Sequence, residues 1–148
     1  MREIRGDIFK LLETGNFDGF CITTNGNVKS NGECVMGRGI ALTCKQKFPN
    51  IAITLGNLIR IRGNHVHRLG TYKSYTVFSF PVKHNWWEAA DIELIKRSCV
   101  ELTQLLDRLN LKSVLLPRPG CGNGKLNWND VQPVIAELLD DRVVVVTF

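Results

Sequence analysis

Three stretches of this chain are apolar with little interruption, and this pattern restricts the fold more than any other feature. They are GFCITT at 19–24, KSVLLP at 112–117 and RVVVVTF at 142–148. Strands without polar alternation are typical of a sheet that is buried on both faces. A long amphipathic helix predicted for 89–109 falls between the first of them and the other two. Strands interleaved with helices predict a three-layer α/β domain.

The remaining elements follow from periodicity and from turn residues. We found no linker, repeat or break in composition, so we expect a single domain over residues 1–148. Residues 65–83 predict two neighbouring strands separated at Gly70-Thr71, and residues 127–141 a helix interrupted early by Pro133. The other predicted elements are a strand at 1–5 and helices at 36–48 and 51–61.

Composition restricts the partners and the compartment. The formal net charge of +5 favours anionic ligands, although the basic residues are scattered and form no run. Five cysteines without a CxxC spacing predict reduced thiols and neither a metal cluster nor a disulfide framework. No apolar run reaches the roughly 20 residues that span a bilayer, and the N-terminus is charged too early for a signal peptide. We therefore expect a cytoplasmic monomer with no membrane partner.

Two glycine-rich loops are the candidate functional feature. GECVMGRGIAL at 32–42 follows the first apolar strand, and RPGCGNGKLNW at 118–128 follows the second. Ligands of open α/β sheets bind at the carboxyl ends of the strands, so both loops can face one cleft. Each loop runs into a predicted helix, and two helix N-termini would suit a diphosphate. The alternative, that the glycines only form tight turns, stays open at this point.

Neither common nucleotide-binding loop fits. A Walker loop requires GxxxxGK[ST], and this chain has Leu126 where the hydroxyl residue must stand. The dinucleotide fingerprint GxGxxG has Leu42 at its third glycine position.

The ordered motifs GDIF, ITTN, VMGRGIALTCKQKFP, FSFPVKHNWW and LPRPGCGNGKLNW resemble those of macrodomains. Macrodomains are ADP-ribose-binding α/β/α modules with a central mixed, mostly parallel sheet. The chain is most similar to the branch that includes DarG-type antitoxin macrodomains, which remove ADP-ribose from thymidine in DNA. The resemblance covers essentially the whole chain. It implies ADP-ribose or an ADP-ribosylated substrate, including ADP-ribosylated DNA, as the partner, with no cofactor and no metal.

The resemblance also implies the site residues. Asp7 matches the acceptor of the adenine amino group, Asn25 lies near the distal ribose, and Lys83 matches the functionally important lysine of the DNA-acting branch. Lys83 and Asn25 are therefore the candidate catalytic residues. The remaining implied ligand-binding residues lie beside Asp7 or in the two loops: Ile8, Met36, Gly37, Arg38, Gly39, Ile40, Pro119, Gly120, Cys121, Gly122, Asn123 and Gly124.

This sequence departs from the family pattern at three points. VKSNGE lengthens the first loop, and Val146 stands where macrodomains often have an aromatic residue, with Phe148 after it. Gly124 stands where a related protein-deacylating branch has an acidic residue, so a carboxylate mechanism does not carry over. Two other functions stay open, an ADP-ribose 1″-phosphate phosphatase and a non-catalytic ADP-ribose binder. Asp7 as a helix cap and Lys83 as a surface cation also stay open.

Overall fold

The computed structural model describes every residue from Met1 to Phe148. It contains six strands and five helices. In chain order they are β1 (Arg2–Arg5), α1 (Ile8–Glu13), β2 (Gly19–Thr24), α2 (Gly39–Lys47), α3 (Ile51–Arg62), β3 (Arg68–Tyr72), β4 (Tyr75–Pro81), α4 (Ile92–Leu109), β5 (Val114–Pro117), α5 (Trp128–Ala136) and β6 (Val143–Thr147).

All six strands form one sheet in the order β1-β6-β5-β2-β4-β3. Every neighbouring pair is parallel except β3 and β4, which form an antiparallel hairpin at one edge. The strands that the sequence marked as buried, β2, β5 and β6, lie in the interior of the sheet. The predicted three-layer α/β class with a mixed, mostly parallel sheet is confirmed.

The sheet separates two apolar clusters of 17 buried residues each. Alternate residues of one strand enter opposite clusters: Phe20 and Ile22 of β2 pack with helices α1, α2 and α3, whereas Cys21 packs with α4 and α5. Valines 143–146 of β6 divide in the same way. Burial on both faces is the reason that these strands carry no polar alternation.

The structure corrects the expected hairpin turn and the expected interruption and end of the last helix, which stops at Ala136 and not at residue 141. The hairpin turns at Lys73-Ser74, and not at Gly70-Thr71, which lie within β3. Lys73 takes the left-handed conformation that this tight turn requires, with φ of 52°. Helix α5 continues through Pro133 because Val131 and Ile135 on either side are buried against the sheet. The proline therefore costs a backbone hydrogen bond without ending the helix.

Helices α2 and α4 begin later than the periodicity indicated. Helix α4 begins at Ile92, where the Asp91 side chain accepts a hydrogen bond from the Glu93 N–H. Helix α2 begins at Gly39, so Met36 and Gly37 belong to the preceding loop. This shift leaves more of the first glycine loop free to line a site.

All five cysteines are free thiols. Four of them (Cys21, Cys34, Cys44 and Cys99) are buried, and burial raises their pKa values. Cys121 is half-buried. None of the helices combines the length and apolar character needed to cross a bilayer.

The long first loop is held by a close backbone contact with α3. A Cβ atom placed on Gly56 would lie 1.9 Å from the carbonyl oxygen of Gly32, and the Cys34 N–H donates to the Ala52 carbonyl at 2.9 Å. Gly56 therefore has no room for a side chain, although it lies in the middle of a helix, where glycine is unfavourable.

We predict that Gly56→Ala destabilises the protein, against the helix propensity of alanine. Overpacking typically costs about 1–3 kcal/mol, which exceeds the roughly 1 kcal/mol that alanine gains over glycine in a helix. Asn57→Ala on the exposed face of the same helix is the matched control, and we expect its thermal unfolding midpoint to equal or slightly exceed that of wild type. Thermal unfolding measures both. A Gly56→Ala variant that is as stable as wild type would show that the loop does not pack on α3 this closely.

Candidate functional site

The two glycine loops meet because β2 and β5 are neighbours in the sheet. Their ladder comprises only two residue pairs, Gly19 with Val114 and Phe20 with Leu115. Beyond these pairs β2 continues along β4 and β5 continues along β6. The loops that follow the two strands then contact each other, since a Cβ on Gly39 would lie 2.9 Å from Asn123 Nδ2.

A cleft with two lobes lies over these loops. The lobe beside β2, called the β2 lobe, has a volume of about 420 Å³, and the lobe beside β6, called the β6 lobe, about 340 Å³. The lobes are continuous, because both are lined by Ile40, Pro117, Arg118, Gly122 and Phe148. Both loops line both lobes, but only the β2 lobe is also lined by Lys83.

The charged side chains that line the cleft are all positive. Arg38, Lys83 and Arg118 line it, and none of its lining residues is aspartate or glutamate. The two buried side-chain polar atoms of the protein that lack a hydrogen-bond partner, Thr24 Oγ1 and Arg118 Nε, also belong to lining residues. Unpaired buried polar atoms are rare and cost free energy. The cleft is therefore suited to an anionic, hydrogen-bonding ligand.

Backbone donors from both loops add to this preference. Helix α2 has no side-chain cap, and the N–H groups of its first turn (Gly39, Ile40 and Ala41) have no partner in the protein. The N–H groups of residues 122–124 are also unpaired and line the same lobe. Unpaired donors at a helix N-terminus form a ready phosphate site. The second helix end does not contribute, because the Asn127 side chain caps α5.

The loop glycines divide into two groups. A Cβ on Gly124 would lie 2.5 Å from the Gly120 carbonyl oxygen, and Gly120 has φ of 77° and packs closely on Ile95. These two glycines shape the turn. A Cβ on Gly37 or Gly122 would meet no other atom within 4 Å, and both residues face the open cleft. Gly120 and Gly124 thus fit the turn-forming interpretation, whereas Gly37 and Gly122 leave open space in which a ligand could approach the backbone.

Lys83 follows β4 closely and lines the β2 lobe. Its Nζ donates a hydrogen bond to the Trp86 carbonyl at 3.3 Å. Partial burial, followed by the positive charges of Arg38 and Lys125, lowers the pKa of Lys83 below its usual range. No carboxylate pairs with it. An amine in this setting is neutral more often than an ordinary lysine, and a neutral amine is a nucleophile.

Asn25 lines the same lobe, but its side chain also holds the first loop. Its Nδ2 donates to the Val35 carbonyl at 2.9 Å, and its Oδ1 accepts from the Asn27 N–H at 3.0 Å. Asn25 thus positions the loop next to the lobe that Lys83 lines.

Asp7 and Pro119 do not line either lobe. Asp7 caps α1, because its Oδ1 accepts from the N–H groups of Phe9 and Lys10. Its Oδ2 accepts no hydrogen bond from the protein, and its neighbours Gly6 and Ile8 line the β6 lobe. An adenine contact by Asp7 stays a prediction alongside the cap that the structure shows.

Sequence reasoning did not single out several lining residues, notably Thr24, Trp86, Arg118 and Trp128. The Arg118 guanidinium lies 4.7 Å from the centre of the Trp128 ring, at the junction of the two lobes. Its place as the first residue of the second glycine loop was the available signal. The chain has no group of three or more His, Cys, Asp or Glu side chains placed to hold a metal ion.

Comparison with known proteins agrees with this architecture. The chain is 30% identical over 112 residues to a DNA ADP-ribosyl glycohydrolase of Thermus aquaticus, an alignment that covers 72% of this chain and 31% of that protein. The chain therefore spans about a third of the length of that relative. Human ADP-ribose glycohydrolase OARD1 is 24% identical over 152 residues, covering 97% of this chain and 87% of that protein.

Solved structures give the same result for the fold. The macrodomain of Thermus aquaticus DarG superimposes with a TM-score of 0.78 at 28% identity, covering 99% of this chain and 97% of that one. The family model described as Macro domain matches residues 29–135, a span that contains both glycine loops and Lys83. Because that model covers well over half of the sequence, the chain belongs to the macro domain family.

Proposed function

We propose that the protein binds ADP-ribose in the cleft and hydrolyses the bond that joins ADP-ribose to a base in DNA. The observation that carries this proposal is the β2 lobe, which has three cationic side chains, unpaired backbone donors from two loops and no aspartate or glutamate. A diphosphate is the group that such a lobe fits best. Similarity to glycohydrolases named for ADP-ribose and for ADP-ribosylated DNA supports the substrate class.

The two lobes suit the two ends of the ligand. The β6 lobe is lined largely by apolar and aromatic side chains, including Ile8, Trp128, Val146 and Phe148, which favour adenine. The diphosphate would then lie over Gly122 and the N-terminus of α2. The distal ribose would point toward Lys83 and Asn25 at the far end of the β2 lobe.

The reaction would break the bond between C1″ of the distal ribose and the base nitrogen. We propose that neutral Lys83 attacks C1″, so that a carbon–nitrogen bond forms while the base leaves with a proton. The ring oxygen then leaves C1″ and takes up the remaining proton of the bound nitrogen, so that the adduct opens to an imine. Water hydrolyses the imine, which releases ADP-ribose and regenerates the amine. The lowered pKa of Lys83 supports a nucleophilic role, and the uniform positive charge of the lobe supports stabilisation of the nearby diphosphate.

One experiment separates this function from the other two. The protein is incubated with ADP-ribosylated single-stranded DNA and with ADP-ribose 1″-phosphate, and binding of free ADP-ribose is measured by calorimetry. Release of ADP-ribose from the DNA supports the proposal. Phosphate release alone would replace it with a phosphatase, and binding without turnover would replace it with a reader. The cytoplasmic location and the monomeric state stay predictions.

We predict that Gly122→Val weakens ADP-ribose binding by at least tenfold while the protein stays folded. The new side chain would point into open space where the diphosphate is proposed to lie, and its Cβ would meet no protein atom. Ser74→Val in the exposed hairpin turn controls for adding a valine. Calorimetry and thermal unfolding measure the two effects. Normal binding by Gly122→Val would reduce this glycine to a turn former.

We predict that Lys83→Ala reduces release of ADP-ribose from modified DNA by at least about 100-fold, the low end for a lost catalytic group. Affinity for free ADP-ribose should stay within a few fold, because the diphosphate contacts remain. Lys83→Arg keeps the positive charge without a nucleophilic amine, and we expect it to be as inactive as Lys83→Ala. Borohydride trapping with wild type should link the sugar to Lys83. Activity retained by Lys83→Arg would assign the lysine a purely electrostatic role.

We predict that Lys125→Gln shifts the pH profile of the reaction to higher pH. The Lys125 charge helps to lower the pKa of Lys83, so its removal raises that pKa and the neutral amine forms at higher pH. Lys112→Gln is the matched control, because Lys112 is exposed and does not contribute to the pKa of Lys83. The measurement is the initial rate against pH. A profile displaced to lower pH would contradict a neutral Lys83 as the reactive form.

A further inference from the structure

Two adjacent tryptophans are exposed at the mouth of the β2 lobe. The side chains of Trp86 and Trp87 are 48% and 64% exposed, and their ring centres lie 5.8 Å apart at 90°. Trp86 lines the lobe, whereas Trp87 stands outside it. Large aromatic side chains gain much free energy when they are covered, so an exposed pair beside a cleft indicates a partner.

The segment that carries the pair is held in place from several sides. The Trp86 N–H donates to Asn27 Oδ1 at 2.6 Å, and Asn27 Nδ2 donates to Asn85 Oδ1 at 3.0 Å. Farther along, Asn85 Nδ2 donates to Glu88 Oε1 at 2.7 Å, and the Ala90 N–H donates to the Gly124 carbonyl at 2.9 Å. The tryptophans are thus presented by an ordered loop that Asn27 and the second glycine loop support, and little entropy is lost when they bind.

Several cations lie around the pair, together with one neighbouring carboxylate, that of Glu88. Lys83 is hydrogen-bonded to the Trp86 carbonyl, and Arg38 and Lys125 are close enough to Lys83 to affect its titration. The carboxylate of Glu88 on the same segment is bound by Asn85. Exposed aromatic faces beside several cations are the combination that binds single-stranded nucleic acid, with bases on the rings and phosphates on the cations.

We propose that Trp86 and Trp87 form a platform that binds the single-stranded DNA on either side of the modified nucleotide, by stacking the flanking bases. This proposal rests on the function above and extends it, because it assigns the part of the substrate outside the ADP-ribose cleft. The modified base would enter at the Lys83 end of the β2 lobe. The flanking bases would lie across the tryptophans, and Lys125, which lines neither lobe, would contact a phosphate between these bases.

The test uses unmodified single-stranded DNA of about ten nucleotides with a fluorescent end label, a length within the range of known single-strand sites. Fluorescence anisotropy gives its dissociation constant. We expect Trp87→Ala to weaken binding by at least about fivefold, the low end for the loss of a stacked base. Ile61→Ala, at a residue that is 79% exposed and lies outside the cleft lining, is the matched apolar control and should bind as wild type does.

Salt dependence tests the cations separately. The logarithm of the association constant falls linearly with the logarithm of the salt concentration. We expect the magnitude of this slope to be smaller by about 0.7 for Lys125→Gln than for wild type, the value for one phosphate contact on a single strand. An unchanged slope would overturn the phosphate contact of Lys125. RNA of the same sequence is the second arm, and tighter binding of RNA than of DNA would overturn the assignment to DNA.

The platform and the proposed function fail in different ways. If wild type releases ADP-ribose from modified DNA but Trp86→Ala and Trp87→Ala both bind the oligonucleotide as wild type does, the platform is wrong and the function stands. If binding depends on Trp87 but modified DNA is not cleaved, the platform stands and the hydrolysis is wrong. Calorimetry of Trp87→Ala with free ADP-ribose should give the wild-type affinity, because this side chain does not line the cleft.

Discussion

The short ladder between β2 and β5 is the constraint on which the rest of the site depends. Two residue pairs are enough to make these strands neighbours, and each strand then continues with a different partner. The loop after each strand is therefore brought to the same edge of the sheet, and the space between the strand ends is left for a ligand. A longer ladder would bring the two strand ends together where Thr24 and Pro117 now line the β2 lobe.

Holding several cations together has an energetic consequence for the unliganded protein. The charged form of Lys83 is disfavoured in the fold, so its pKa is lowered, first by burial and then by Arg38 and Lys125. The resulting loss of folding free energy is present in full at pH values below the lowered pKa of Lys83. It disappears as the pH rises to the pKa that Lys83 has in the unfolded chain. An anionic ligand would offset the same repulsion. The arrangement that lowers the pKa of Lys83 thus also favours an anion beside it.

Much of the fold could be predicted from the sequence, because β2, β5 and β6 are apolar on both faces and the motifs occur in family order. The glycine loops were identified from their residue types and spacing, and Lys83 from the resemblance of its motif to that of macrodomains. Other features could not be predicted. The turn at Lys73-Ser74 has no glycine or proline to mark it, and Pro133 stays helical only because of its buried neighbours. The position of Arg118 on Trp128 joins residues from the loop and from α5, which local patterns do not show.

The distribution of the thiols determines how the protein reacts with thiol reagents in its folded and unfolded states. Four cysteines are sealed in the two apolar clusters, while Cys121 is half-buried and lines the β6 lobe. Thiol reagents act on accessible thiolates, so a folded molecule offers them one position and an unfolded molecule offers five. Cys121 is consequently the one position at which the folded protein can be labelled, and a ligand in the cleft would shield it. Unfolding would expose the four other thiols to the reagent.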